Sequence, residues 1–267
     1  MDYAVVGGDV RFAHLASMLQ ESGRSAKGFL HGETDDLAEI GRCGAVLTNW
    51  PMKWPMHRGE MSAEAILSRV SSGSVMLLCG PKFPDEKARR PDLKWVDLWA
   101  DERLLRENAW LTAESAVASV VRSHPQRMCG LRCAVVGYGR IGQALTDILL
   151  NLGAEVHVVS GSRKKRGAID GIGAKAWPRE ETAEALRDCA LVFSTPPTAV
   201  VGAEEMAWLK PNALIVDLAS PPYGVDLEAA KMLNFEARRE PGLPGRYCPI
   251  SAARALYNAV LRWEEDA

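Results

Sequence analysis

The chain of 267 residues is long enough for one large domain or two domains of ordinary size. Hydrophobic residues make up 47% and charged residues 25%, a composition typical of a globular protein whose core needs no disulfide or metal. The formal net charge of -2 argues against a nucleic-acid-binding protein, because such proteins carry a clear basic excess.

The sequence also argues against membrane and metal-binding functions. No apolar run approaches the roughly 18 residues that a membrane span requires, and "MDYAVVGGDV" lacks the basic start of a signal peptide. The six cysteines have no paired C-x-x-C spacing, so we expect reduced thiols, no metal site and a cytoplasmic protein. A homo-oligomer is compatible with this composition.

Short apolar runs alternate with helical segments through the first part of the chain. "YAVVGG", "GAVLTNW" and "SVMLLCG" predict strands, and "VRFAHLASMLQESG" and "AEAILSRVSSG" predict helices. This alternation predicts a parallel sheet with crossover helices, so we assign 1–104 to an N-terminal α/β domain for substrate or partner binding. Its glycines at 7 and 8 lack the third glycine of a dinucleotide turn, which favours a small ligand near Asp9 and Arg11.

One loop of this domain has an unusual composition. "NWPMKWPMHRG" at 49–59 contains two Trp-Pro-Met units, and its prolines stiffen the chain. We expect it to cover the core of the N-terminal domain. A contact surface for a partner or ligand is the alternative, because Trp and Met favour such surfaces.

A long helical segment separates this region from a second α/β series. Residues 105–128 predict a linking helix, with a break near Trp110. Strands and helices then alternate again through 129–249, which predicts a Rossmann-type NAD(P)-binding domain with four or five strands. A final helix is predicted over 250–265. The expected fold is therefore α/β, with two Rossmann-like parallel-sheet domains joined by a long helix.

The second series contains a glycine-rich turn, "CAVVGYGRIGQAL", with G-x-G-x-x-G spacing. An apolar strand at 134–136 precedes it and an amphipathic helix at 141–150 follows, which is the context of a dinucleotide-binding turn. The first glycine allows the tight turn, the second a close approach of the pyrophosphate, and the third close packing of the helix. A Rossmann turn that binds nothing is the alternative. The expected cofactor contacts are Gly137, Tyr138, Gly139, Arg140, Ile141 and Gly142.

The end of the next strand indicates which dinucleotide is bound. NAD sites usually place Asp or Glu there for the ribose hydroxyls, whereas this strand ends at Ser160 and leads into "GSRKKR". A hydroxyl beside a guanidinium suits a 2′-phosphate, so we predict NADP, bound by Ser162 and Arg163 and next by Lys164, with Ser160 as a further cofactor contact. A solvated basic loop is the alternative.

Two common catalytic arrangements are missing. Oxidation of 2-hydroxy acids needs a general base, usually His, held by a carboxylate. None of the five histidines follows the fifth strand of the second series, where such a base is expected, and no G-x-S-x-G elbow occurs. His157 lies within a strand, which favours a structural role. The sequence therefore disfavours a hydroxyacid dehydrogenase and a serine hydrolase.

A resemblance to a known family rests on motifs along nearly the whole chain. They are "AVVGGDVR", "LTAES", "AVVGYGRIGQAL", "STPP", "LIVDLASPPYGVD" and, most specifically, "PGLPGRYCPISAARAL". In these motifs the chain resembles the A subunits of dipicolinate synthase, proteins of spore-forming bacteria. The resemblance implies a final helix that returns to the first domain. It also implies cofactor contacts at the ends of two later strands, namely Thr195, Pro196, Leu218, Ala219 and Ser220.

The same resemblance implies an activity. Dihydrodipicolinate, or its hydroxytetrahydro precursor, is oxidised to dipicolinate for spore formation, with NADP as hydride acceptor. The implied partner is a flavoprotein-like B subunit, and the implied location is the cytoplasm of the mother cell. Implied catalytic residues are Glu114, as general base, and Thr112. The residues implied for the dicarboxylate substrate are Asp9, Arg11, Arg246 and Ser251, the last also as cap of the final helix.

The sequence departs from this family in three places. The linking helix has Leu-Thr-Ala-Glu-Ser where the family has Pro-Thr-x-Glu-Gly, "DLAS" is followed by Pro221 instead of Arg, and "PGLPG" is followed by Pro-Ile-Ser-Ala-Ala instead of Pro-Lys-Thr-Ala-Gly. Two positive charges are thus absent. Either Arg246 and Arg254 replace them or the substrate differs. The alternatives are a non-catalytic nucleotide-binding or regulatory protein, or an NADP-dependent dehydrogenase of another small carboxylic acid.

Overall fold

The structure is a computed structural model that describes residues 2–29, 37–49, 55–56, 59–60, 63–80 and 89–267. The chain divides into two compact units. Unit 1 combines Met1–Asn108 with Cys248–Ala267, and unit 2 is the continuous segment Ala109–Tyr247. Most of the Trp-Pro-rich segment at 49–59 lies outside the described residues.

Unit 1 is built on a parallel sheet with the strand order β2-β1-β3-β6-β7. Its strands are β1 (Tyr3–Val6), β2 (Ala26–Phe29), β3 (Ala45–Asn49), β6 (Val75–Cys79) and β7 (Lys94–Asp97). Two short strands, β4 (Pro55–Met56) and β5 (Gly59–Glu60), pair in antiparallel fashion. The helices of the unit are α1 (Val10–Glu21) and α2 (Ala63–Leu67), with 3₁₀ turns at Leu37–Arg42 and Leu98–Ala100.

The predicted strands and helices of unit 1 are confirmed, but the sequence interpretation missed the short pair β4 and β5 and two strands of the parallel sheet. β1, β3 and β6 are apolar and almost fully buried, and for that reason they are evident in the sequence. β2 and β7 are edge strands, and most of their residues are only half-buried. They contain Lys27, Lys94 and Asp97, so they lack the continuous apolar pattern of a central strand.

Two further helices belong to unit 1, one of them only in its first turns. Helix α3 (Glu102–Ser123) directly follows Asp101, whose carboxylate accepts from the amide of Arg103 at 2.8 Å. It runs without interruption, so the break predicted near Trp110 is wrong. Helix α10 (Pro249–Asp266) packs on α1, as expected for a final helix that returns to the first domain.

Unit 2 contains six parallel strands in the order β10-β9-β8-β11-β12-β13, the doubly wound arrangement of dinucleotide-binding domains. The sequence predicted four or five strands here. The strands are β8 (Arg132–Val136), β9 (Glu155–Val159), β10 (Lys175–Trp177), β11 (Leu191–Ser194), β12 (Leu214–Asp217) and β13 (Glu236–Arg239). The helices are α4 (Arg140–Asn151), α5 (Arg163–Gly171), α6 (Thr182–Leu186), α7 (Ala203–Met206), α8 (Leu227–Met232) and α9 (Leu243–Tyr247), with a 3₁₀ turn at Arg179–Glu181.

Helices cover both faces of this sheet, because its central strands are apolar on both sides. On one face, Val135 and Phe193 pack with the buried residues of α4 and of the C-terminal part of α3, including Val120. On the other face, Ala134 and Ile215 pack with residues of α6, α7 and α8. The central strands are thereby fixed, and their carboxyl ends form a rigid edge for a ligand.

No helix in the described part of the chain is long and apolar enough to cross a membrane. Those same residues contain no group of three or more His, Cys, Asp or Glu side chains that could hold a metal ion. The two α/β units with parallel sheets, joined by α3, are the fold predicted from the sequence.

Candidate dinucleotide-binding site

The glycine-rich turn lies between β8 and α4, at the carboxyl edge of the unit 2 sheet. Gly137 has φ +95°, and a Cβ there would lie 2.4 Å from Thr195 Oγ1. A Cβ on Gly142 would lie 2.0 Å from the carbonyl oxygen of Gly137, so only glycine lets the helix approach the turn this closely. A Cβ on Gly139 would meet no atom within 4 Å, so the absence of a side chain leaves open space there. The turn therefore has the cradle that a pyrophosphate requires.

The start of α4 faces the same region. Gly139 is the N-cap residue and, as a glycine, has no side chain with which to cap the helix. The N-cap position therefore offers no side-chain acceptor to the first amide groups of α4, which together with the helix dipole favour a bound anion. The turn and the start of α4 thus fit a dinucleotide phosphate both sterically and electrostatically.

A cavity of about 440 Å³ opens at this edge of the sheet. Its walls come from the ends of β8, β9 and β11 and from the segments that follow them. The lining residues are Val136, Gly137, Tyr138, Gly139, Val159, Ser160, Gly161, Ser162, Lys165, Arg179, Thr195, Pro196, Pro197, Thr198 and Val200. Seven residues predicted from the sequence to contact the cofactor are among them, and these are Gly137, Tyr138, Gly139, Ser160, Ser162, Thr195 and Pro196.

Other predicted cofactor residues lie outside the wall of this cavity. Arg140, Ile141 and Gly142 form the first turn of α4. Arg163 and Lys164 begin α5, and both side chains are exposed. The remaining predicted contacts follow β12, and they are Leu218, Ala219 and Ser220.

Two basic residues of the cavity wall were not predicted. Lys165 belongs to the basic run that the sequence interpretation singled out, but it stands one position beyond the residues chosen there. Arg179 follows β10, a strand of three residues that escaped prediction. Pro197, Thr198 and Val200 extend the predicted Thr195–Pro196 segment.

The charge of the cavity wall has one sign. Lys165 and Arg179 are cationic, and none of the described residues that line the cavity is Asp or Glu. The carboxylate that typically binds the ribose hydroxyls of NAD is therefore missing from the wall.

The segment after β12 is held by a buried carboxylate. Asp217 is 1% exposed, and its oxygens accept from the amides of Ala219 at 3.0 Å, Gly224 at 3.1 Å and Val225 at 3.1 Å. The guanidinium of Arg239 lies 3.8 Å from the same carboxylate. These contacts fix the backbone of 218–225, including the predicted cofactor contacts Leu218, Ala219 and Ser220, at the carboxyl edge of the sheet.

Arg239 also contacts the loop itself. Its guanidinium carbon lies 3.9 Å from the ring centroid of Tyr223, a residue with φ +72°. The peptide bond between Pro221 and Pro222 is cis. Loop 218–225 is therefore held from two sides, by Asp217 beneath it and by Arg239 against Tyr223.

The predicted substrate residues of unit 1 already have partners. Asp9 caps α1 and forms an ion pair with Arg11, with Arg11 Nε 2.8 Å from Asp9 Oδ1. The sequence interpretation placed Ser251 at the cap of the final helix, and this is wrong. Cys248 is the N-cap, Pro249 occupies the first turn, and Ser251 is an exposed residue of that turn.

The predicted residues of unit 2 differ in their surroundings. Arg246 Nη1 lies 2.6 Å from Oε2 of Glu240. Burial raises the pKa of Glu240, but the hydrogen bonds from Arg246 and Ser119 outweigh it and leave that pKa below its ordinary value. Arg246 is thus committed to an ionised carboxylate. Glu114 is exposed and Thr112 half-buried on α3.

Another cavity, of about 560 Å³, lies within unit 1 between the segment around β7, the start of α3 and α10. Two arginines contribute to its wall, of which Arg262 is paired with Asp101. Acidic side chains outnumber them, so this cavity does not suit a dicarboxylate. The acidic residues are Asp97, Asp101, Glu102, Glu265 and Asp266.

Comparison with known proteins places these features in a family context. Residues 97–224 match the family described as D-isomer specific 2-hydroxyacid dehydrogenase, NAD binding domain. The chain is 28% identical over 167 residues to the A subunit of dipicolinate synthase of Bacillus subtilis, which is 62% of this chain and 56% of that protein's length.

Two solved structures have the same fold over nearly the whole chain. The A subunit of dipicolinate synthase from Bacillus halodurans has a TM-score of 0.84 at 23% identity, with 98% of this chain and 97% of that chain covered. The corresponding protein from Bacillus subtilis has a TM-score of 0.81 at 21% identity, with 100% and 96% covered. The resemblance predicted from the sequence is therefore confirmed: this chain is similar to the A subunits of dipicolinate synthase, and its residues 97–224 match a dehydrogenase NAD-binding domain.

Proposed function

We propose that the chain is the NADP-binding component of an oxidoreductase that converts dihydrodipicolinate, or its hydroxytetrahydro precursor, to dipicolinate. The observation that carries the proposal is the cavity beside the glycine-rich turn, whose wall holds Lys165 and Arg179 and, among the described residues, no carboxylate. The similarity to the A subunit of dipicolinate synthase supports the substrate class.

Different residues of unit 2 would bind the different parts of the cofactor. The turn at 137–142 and the start of α4 suit the pyrophosphate, since Gly139 leaves space there and, as the N-cap, has no side chain that would cap α4. Ser160 and Ser162 lie at the end of β9 beside the expected adenosine ribose. Bound NADP would supply the hydride acceptor for the reaction.

The chemistry demands little beyond orientation. The dihydro ring loses a hydride to the nicotinamide and a proton to a base, and the products are aromatic dipicolinate and reduced cofactor. Aromatisation favours this direction, so the protein must mainly hold the ring against the cofactor and keep a proton acceptor within reach. In this proposal, Glu114 takes the proton, Thr112 assists it, and the fixed backbone of 218–220 supports the nicotinamide end.

The arginines support a second candidate function as well. Arg11 is paired with Asp9, and Arg246 is paired with Glu240. To bind these two arginines, a dicarboxylate would have to displace the carboxylates of Asp9 and Glu240, and breaking each ion pair costs free energy. This observation favours either a dehydrogenase for another small carboxylic acid or a nucleotide-binding regulatory protein without its own catalysis.

The partner belongs to the proposal too. A protein similar to the A subunits of a synthase is expected to act with a B subunit, for which the family provides a flavoprotein-like chain. The cytoplasm of the mother cell of a spore-forming bacterium is the proposed location.

The test is the formation of dipicolinate. The labile dihydrodipicolinate is generated in place by its upstream synthase, NADP is added, and product is followed by chromatography with and without a B subunit. Product that requires both this chain and NADP supports the proposal. Turnover of other small acids with NADP supports the second dehydrogenase, whereas NADPH binding without any turnover supports the regulatory protein.

A further inference from the structure

We propose that Lys165 and Arg179 form a clamp for the 2′-phosphate of NADP, and that Arg163 and Lys164 do not contact it. The inference rests on the proposed use of NADP. It assigns the discrimination between the two dinucleotides to a pair of residues from different segments of the chain.

The contacts of the basic run at 163–166 divide it into two pairs. Arg166 donates from Nη1 to the carbonyl oxygen of Ser160 at 2.8 Å, so it fixes the end of β9. Lys165 extends its ammonium to the carbonyl oxygen of Tyr138 in the glycine-rich turn, at 3.0 Å. Arg163 and Lys164 are exposed at the start of α5 and do not line the cavity. Of these four basic residues, only Lys165 thus contributes to the wall of the cofactor cavity.

Arg179 reaches the same cavity from the neighbouring strand. β10 pairs with β9 in parallel, with Trp177 opposite Val159, and the amide of Ser160 donates to the carbonyl oxygen of Trp177 at 2.9 Å. The segments that follow these two strands therefore leave the sheet side by side. Arg179 lies two residues beyond Trp177 and contributes to the cavity wall together with Ser160.

The two charges have no counterion among the described residues of the chain. In the described part of the chain, no carboxylate forms an ion pair with Lys165 or Arg179. The ammonium of Lys165 has three donors and uses one for Tyr138, so two remain for a phosphate. The planar guanidinium of Arg179 can donate two parallel hydrogen bonds to phosphate oxygens.

A cavity with these two cations distinguishes the dinucleotides by charge. A 2′-phosphate carries about -1.5 to -2 charges near neutral pH and makes charge-assisted hydrogen bonds with both side chains. A 2′-hydroxyl offers neither the charge nor the extra acceptors. The clamp would therefore affect the affinity for the phosphorylated ligand and leave that for the hydroxyl form nearly unchanged.

The experiment measures binding of two cofactor fragments by calorimetry, adenosine 2′,5′-bisphosphate and adenosine 5′-diphosphate. The purified chain is compared with Lys165→Ala and Arg179→Ala, and with the matched controls Arg163→Ala and Lys164→Ala. All four residues are exposed, so melting temperatures close to that of the parent chain are expected. We expect Lys165→Ala and Arg179→Ala each to weaken binding of the bisphosphate by about 10–100-fold. Binding of the diphosphate should weaken by less than about threefold. The controls should change the affinity for both fragments by less than about threefold.

The outcomes separate the inference from the NADP proposal. One outcome overturns the clamp but not the proposed use of NADP. In it, the parent chain prefers the bisphosphate, and the control variants lose as much affinity for the bisphosphate as Arg179→Ala does. Clamp variants that weaken both fragments equally also overturn it, because the residues would then act on the shared adenosine. A parent chain without preference for the bisphosphate overturns both the use of NADP and the clamp.

Discussion

The hydroxyl of Tyr3, on the first strand, donates a hydrogen bond to the carboxylate of Glu264, near the end of the last helix. The same carboxylate accepts from Nε of Arg24 at 3.0 Å. All three side chains are at least partly buried, so the contact joins β1, the turn after α1, and α10 into one polar cluster of unit 1.

This cluster predicts how the stability of unit 1 depends on pH. The hydrogen bond from Arg24 is the largest influence and holds the pKa of Glu264 below its ordinary value, against the effect of burial. A carboxyl with a lowered folded-state pKa stabilises the fold above its unfolded pKa of about 4.3, and this contribution is lost as the pH falls through the folded-state pKa. We expect Glu264→Gln to lower the free energy of unfolding by about 1–2 kcal/mol at pH 7.

Urea unfolding at a series of pH values checks this prediction. The difference between Glu264→Gln and the parent chain should stay constant from pH 7 to about pH 5 and narrow below about pH 4.5. The control is Glu265→Gln, because Glu265 is exposed and should change stability by less than about 0.5 kcal/mol. A gap that persists unchanged in acid would contradict the role of the ionised carboxylate.

Replacement of glycine by alanine at two positions of the glycine-rich turn should cause two different defects. Gly142→Ala should lower the free energy of unfolding by about 1–3 kcal/mol, since its Cβ would lie 2.0 Å from a backbone oxygen. Gly139→Ala should fold normally, because its Cβ meets no protein atom within 4 Å. It should nevertheless weaken the binding of NADPH by about tenfold or more, since the methyl group occupies the space proposed for the pyrophosphate.

Melting temperature and NADPH affinity, measured on both variants, distinguish these effects. Gly167→Ala is the control, as it lies within α5 with open space around it. It should leave affinity unchanged and stabilise the chain by up to about 1 kcal/mol. Tight NADPH binding by Gly139→Ala would place the pyrophosphate elsewhere.

The buried carboxylate of Asp217 predicts a large effect from a small change. An amide at this position presents N–H donors to backbone groups that are themselves donors, so at least one of the three hydrogen bonds is lost in the interior. We expect Asp217→Asn to lower the free energy of unfolding by about 2–3 kcal/mol, as measured by chemical denaturation.

A matched control exists for the same substitution. Asp226 caps α8 and accepts from the amides of Glu228 and Ala229, both at 3.0 Å. Asn is as good as Asp at an N-cap, so Asp226→Asn should cost less than about 0.5 kcal/mol. If both variants lost the same free energy of unfolding, the burial of Asp217 would not explain its contribution to stability.

The cysteines predict a simple pattern of thiol reactivity. Burial raises the pKa of Cys79, Cys133 and Cys189 to about 12, and these thiols should not react with a disulfide reagent in the folded protein near neutral pH. Cys129 is exposed and should react first, followed by the half-buried Cys248.

Reaction with a chromogenic disulfide measures this pattern. Cys129→Ser should remove the fast phase, and all six thiols of the parent chain should react in denaturant. Fast reaction of the three most buried thiols at low reagent concentration would mean that the folded units open more readily than their packing indicates.

The sequence was sufficient for those parts of the molecule whose structure is encoded locally. The turn at 137–142 depends on backbone angles and close approaches that only glycine permits, so its position and its neighbouring strand and helix could be predicted. The apolar central strands, such as β8 and β11, were equally clear.

Features that depend on distant residues could not be predicted in the same way. β10 has three residues and a half-exposed pattern, so it gave no periodic signal, and Arg179 behind it remained hidden. The roles of Lys165 and Asp217 depend on the carbonyl and amide groups that surround them in the folded chain. No rule of residue spacing contains that information.

The order of the two units along the chain has a consequence for synthesis. Unit 2 is a continuous stretch, whereas unit 1 needs both Met1–Asn108 and Cys248–Ala267. On the ribosome, all residues of unit 2 are therefore available before α10 emerges to cover α1. Until then, the apolar surface of α1 that α10 later covers stays open to nonspecific contacts, and a nascent chain paused there is the form most in need of a chaperone.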